Sequence, residues 1–68
     1  MTGWYEIKFG KDRYSQVSEM KSWCETNIGE GGWRHTDEGL WIIDQMFGNT
    51  FFFFNNSQDA VMFSLRWV

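Results

Sequence analysis

The sequence predicts an α+β fold, a small antiparallel sheet with one long helix packed on one of its faces. Three observations predict it. Residues Trp4 to Phe9 alternate as a strand does, and Tyr14 to Ile28 repeat as a helix does. Leu40 to Phe47 and Thr50 to Asn55 are both rich in strand formers and flank the turn pair Gly48-Asn49. Strand, helix, hairpin and a short C-terminal helix or strand give β-α-β-β-α order, the pattern of a ferredoxin-like or half-ferredoxin domain.

In the first strand Tyr5, Ile7 and Phe9 share one face, and Trp4, Glu6 and Lys8 share the other. Gly10 ends it. Asp12 or Ser15 is placed to cap the helix. Tyr14, Val17, Met20, Cys24 and Ile28 then form its apolar stripe, with Trp23 at the margin. Asn27 closes the helix, and Gly29 suits the positive-φ position beyond it. Gly29-Glu30-Gly31-Gly32 reads as a mobile connector. It follows a helix and lacks a Lys-Ser/Thr pair, so it is no phosphate loop. Trp33 to Thr36 begins a strand, and Asp37-Glu38-Gly39 forms a turn.

A two-residue type II′ turn at Gly48-Asn49 sets Phe47 opposite Thr50 and Ile43 opposite Phe54. One sheet face then holds Trp41, Ile43, Phe47, Phe52 and Phe54, interrupted by Gln45. The other holds Leu40, Ile42, Met46, Phe51 and Phe53, interrupted by Asp44. The first is assigned to the core, because a buried charge is worse tolerated than a buried amide. Asn56 or Ser57 caps a helix from Ser57 to about Phe63, with Ala60, Phe63 and Trp67 inward, followed by an extended tail. Val61, Phe63, Leu65 and Trp67 also alternate as a strand would.

The 68 residues make a single domain, 1–68. A chain of this size buries only about 60% of its unfolded surface and needs reinforcement. One Cys excludes an internal disulfide, and one His excludes a Cys/His zinc site. The remaining resources are 14 aromatic residues and self-association. No cofactor motif is present. The net charge of -3 and six scattered basic residues argue against a nucleic-acid partner. No membrane partner is expected, since no apolar run exceeds four residues. The N-terminus lacks the basic and apolar regions of a signal peptide, and a lone thiol suits a reducing compartment, so a cytoplasmic location is expected.

Cys24 and His35 are the only nucleophile–base candidates of the thiol type, but Cys24 falls in the buried helical stripe, where Cys acts as a small hydrophobe. Asp37 and Glu38 are turn residues. The chain is therefore expected not to be an enzyme. The second sheet face exceeds the apolar patch a monomer normally exposes. It gives the candidate partner-binding residues Trp4, Leu40, Ile42, Asp44, Met46, Phe51 and Phe53, with Trp23 extending the patch. Asp44 reads either as a charge that blocks sheet aggregation or as a polar anchor. Two coverings of this face stay open: a protein partner or second copy, and the chain's own tail through Phe63, Leu65 and Trp67.

The expected function is a small protein-interaction module. The alternative is single-stranded nucleic-acid binding by stacking on Trp4, Phe51 and Phe53. The stretch Phe51 to Trp67, with its Asp-Ala-x-x-Phe-x-Leu-Arg-Trp ending, resembles the tail of small uncharacterised accessory proteins of tailed phages. Trp4-Tyr5-Glu6-Ile7-Lys8-Phe9 and Trp23-Cys24-Glu25 share that likeness. The resemblance implies only a compact intracellular accessory protein acting in an infected bacterium, with no particular activity. The apolar face is expected to serve self-association or the binding and modulation of a host protein.

Overall fold

The computed structural model describes residues 3–33 and 39–68. Strand β1 (Tyr5–Phe9) leads through a 3-10 turn (Lys11–Gln16) into helix α1 (Val17–Asn27). The two-residue strand β2 (Gly32–Trp33) follows, then the hairpin β3 (Trp41–Met46) and β4 (Asn49–Phe54), then helix α2 (Ser57–Trp67). The sheet order is β1-β4-β3-β2. β4 is antiparallel to β1 and β3, and β2 lies parallel to β3. The fold is α+β, but with two helices of 11 residues each in place of one long helix and a short one. The expected strand positions 34–36 and turn positions 37–38 lie outside the described residues.

The hairpin turns one residue earlier than expected. Phe47 (φ 54) and Gly48 (φ 82) are both left-handed, the type I′ pattern. The register moves by two residues, so every side chain stays on the face read from the sequence. The observed register sets Trp41 opposite Phe54 and Ile43 opposite Phe52. The expected one would have carried Trp41 past the end of β4 and set Gln45 against Phe52. Fully burying one large apolar side chain contributes about 1.5–3 kcal/mol. A left-handed non-glycine residue costs about 1–2 kcal/mol. Pairing the largest core groups therefore outweighs the strained turn. Phe47 is consequently not a core residue and is 89% exposed.

Phe9, Val17, Met20, Cys24, Trp41, Ile43, Phe52, Phe54, Ala60, Phe63 and Trp67 form the core. Both helices thus bury against the Phe52/Phe54 face. Phe63 is the hub, with its ring 4.8 Å from Phe52, 5.0 Å from Phe54, 5.9 Å from Phe9 and 5.8 Å from Trp23. Tyr14 is exposed, because the segment before Val17 is a 3-10 turn whose three-residue period rotates it off the stripe. Neither Asp12 nor Ser15 caps α1. The turn begins instead with the Arg13 N–H donating to the Gly10 carbonyl at 3.1 Å.

Asn56 caps α2 as expected, its Oδ1 accepting the Gln58 N–H at 2.7 Å. The tail is helical to Trp67 and not extended after Phe63. The cause is the row Ala60, Phe63 and Trp67, which is buried only if the helix continues. Arg13 Nη1 donates to the Trp67 carbonyl at 2.9 Å and so binds the C-terminal end of α2.

The glycine connector is built into the core edge and is not a loose link. Gly29 takes φ 137 after α1, and its carbonyl accepts the Trp41 Nε1–H at 2.8 Å. A Cβ on Gly31 would overlap the indole of Trp41, so only glycine lets the backbone approach that ring.

Candidate functional site

The second sheet face is assembled by register. Glu6 lies opposite Phe53 and Lys8 opposite Phe51 on β1, while Ile42 lies opposite Phe53 and Asp44 opposite Phe51 on β3. Phe51 and Phe53 are half-buried and stacked, with centroids 6.4 Å apart and planes 16° apart. The Lys8 Nζ stands 6.0 Å from the Phe51 centroid, at the outer reach of a cation–π contact. Asp44 is half-buried, and its carboxylate accepts the Gln45 N–H at 2.9 Å. Leu40 and Met46 are exposed, and Trp4 is half-buried.

Two of the expected contact residues are corrected. Ile42 is fully buried between its neighbours Phe53 and Gly32 and offers no surface to a partner. Trp23 packs on Phe63 at the margin of the core, not on this face. The tail does not cover the second face either, because Phe63 and Trp67 belong to the opposite core. Trp4 and Leu40 stand just outside the strands, ahead of β1 and β3. Strand pairing brings Asp44, Met46, Phe51 and Phe53 to one face, and adds Glu6 and Lys8. The alternation of β1 already placed those two beside Trp4, but only strand pairing sets them next to the phenylalanines.

A second feature escaped the sequence. A groove of about 500 Å³ lies between β1 and α2, lined by Tyr5, Ile7, Ala60, Val61 and Leu65 among others. Reading the tail as extended hid it, since its wall exists only if α2 runs on beyond Phe63.

Cys24 is fully buried, and burial, with smaller contributions from the charges of Glu25 and Asp59, pushes its thiol from 9.0 up to about 12. It is a packed thiol with no access to substrate. His35 lies outside the described residues. Among the described residues no three His, Cys, Asp or Glu side chains group to hold a metal ion, and no helix is long and apolar enough to cross a membrane. No protein-family model, curated protein or solved structure matches the chain.

Proposed function

We propose that this chain is a small non-enzymatic binding module whose aromatic sheet face takes a protein partner. The observation that carries the reading is the Phe51/Phe53 stack, half exposed on the face to which neither helix contributes core residues. Aromatic rings in a partly open apolar patch are the usual anchors of interfaces. Glu6 lies opposite Phe53, and Asp44 and Lys8 lie opposite Phe51 on its two neighbouring strands. The chain carries a net charge of -3, so acidic groups outnumber basic ones. The favoured partner therefore presents apolar anchors among Lys or Arg side chains. The likeness to phage accessory proteins makes a bacterial host protein the natural source of that partner.

The sheet supports a finer reading of the fold as well. β1 and β3 run parallel with β4 between them, and α1 lies in the connection. This order supports a ferredoxin-like or half-ferredoxin reading, with the strand place beside β1 left open and the short β2 as an addition at the other edge.

The test is a titration of the 15N-labelled protein with a peptide that alternates Leu and Arg, followed by backbone amide shifts. Saturable shifts confined to Glu6, Lys8, Leu40, Asp44, Met46, Phe51 and Phe53, and lost in Phe53→Asp with the fold intact, support the reading. Shifts confined to α1 or α2, or none up to millimolar peptide, sink it. Stacking of single-stranded nucleic acid on the same rings would show as salt-sensitive shifts with an oligothymidylate and none with the peptide.

A further inference from the structure

β1 is the outer strand of the sheet, and only one of its sides pairs with β4. An edge strand is a template for another strand. β1 carries no Pro, and its two charges, Glu6 and Lys8, are of opposite sign and so can pair across such a seam. The groove above it is walled by Val61, 58% exposed, and Leu65, 83% exposed. Edge and helix therefore leave one continuous apolar strip beside unpaired backbone.

We propose that a second copy of this chain fills that edge, with β1 pairing antiparallel to the β1 of its partner about a two-fold axis at Ile7. The strand Tyr5-Glu6-Ile7-Lys8-Phe9 is its own complement in that register. Glu6 of each copy falls opposite Lys8 of the other, Ile7 opposite Ile7, and Tyr5 opposite Phe9. Residues directly opposite must lie on the same face, so the nearest alternative registers shift the axis by one residue, to Glu6 or to Lys8. The first sets Glu6 on Glu6 and the second Lys8 on Lys8, and like charges directly opposite are destabilising. Charge thus admits one register and rejects both neighbours.

The helices fit the same axis. α2 packs against β1 on the core side, so the two α2 helices meet above the seam and cover Val61 and Leu65 of each other. The antiparallel strands of the two copies join into one sheet. This inference shares Glu6 and Lys8 with the aromatic face but adds Leu65 of the groove, which lies away from that face, so Leu65→Glu and Phe53→Asp tell the two readings apart.

The experiment is sedimentation equilibrium on the purified chain from micromolar to several hundred micromolar at low salt. A reversible monomer–dimer equilibrium is expected for the wild type. Glu6→Lys and Lys8→Glu, both at exposed positions, should each weaken association by about tenfold or more, since each turns both cross-strand pairs repulsive. An equimolar mixture of the two variants should associate again, because every cross-strand pair is then opposite in sign. Leu65→Glu should dissociate the dimer with the far-UV circular dichroism unchanged. A wild type that stays monomeric throughout overturns the proposal. So does a dimer indifferent to both charge variants, or one dissolved by Phe53→Asp and not by them.

Discussion

Phe47 sits in a backbone conformation that its side chain does not favour, at φ 54, and gains almost nothing from its surroundings because it is 89% exposed. Replacing it by Asn gives Asn-Gly, the pair best suited to both positions of a type I′ turn. Relief of the left-handed strain is worth about 1–2 kcal/mol for an ordinary L-residue, and Asn retains part of that strain. Full burial of a Phe contributes about 1.5–3 kcal/mol, and only about a tenth of this ring is covered, so its loss costs about 0.2–0.3 kcal/mol. Phe47→Asn is therefore expected to stabilise the domain by about 1 kcal/mol. In a chain of this size that raises Tm by roughly 4–8 °C. Urea denaturation followed by circular dichroism, with a thermal melt alongside, measures both quantities. A turn at Gly48-Asn49 would instead make Phe47 a core side chain, and its truncation would cost about 3–5 kcal/mol. The sign of the change decides the register, and a loss of 2 kcal/mol or more would refute the turn described above.

Three further predictions concern the core and its edges. Gly31→Ala should destabilise by about 2 kcal/mol, read as a lower urea midpoint at unchanged slope, because its Cβ and the Trp41 indole claim the same space. Asn56→Ala should cost about 1 kcal/mol in the same assay by uncapping α2, and Asn56→Asp should keep most of it. Cys24 should resist thiol reagents at pH 8 at a rate set by unfolding. Its folded thiol, near 12, also lies above the unfolded value of 9.0, so stability is fully present below about pH 9 and falls as pH rises toward 12. A thiol that reacts at the free-cysteine rate in the folded protein would contradict its burial.

Strands β1, β3 and β4, the helix α1 and the division of the sheet into two faces were legible in the sequence, because periods of two and 3.6 survive in Tyr5–Phe9, Val17–Asn27 and the tetra-Phe run. Strand β2 was not, since its Gly32 reads as part of a connector. The turn was not. Its local signal, Gly48-Asn49, competes with the gain from pairing Trp41 with Phe54, which only the assembled sheet delivers. The tail was ambiguous because Val61, Phe63, Leu65 and Trp67 also satisfy a strand period, and only packing on Phe52 and Phe54 decides for the helix. Most of the aromatic face was readable. The burial of Ile42 was not, since alternation gives a residue its face but not the depth at which it sits. The β1–α2 groove had no signal at all, being a property of two segments at opposite ends of the described chain.

That meeting of distant segments governs how the domain forms. Tyr5 pairs with Phe54, and Arg13 bonds the carbonyl of a residue 54 positions away. The β3–β4 hairpin is local and can close within microseconds, whereas β1 can join only after a long loop has been closed. Until it does, the hairpin carries four adjacent phenylalanines on a strand with an open side. Refolding yield should therefore fall as protein concentration rises, even for a variant whose native state is no less stable. The arrangement that makes β4 the centre of the finished sheet also makes it the most adhesive segment of the unfinished one.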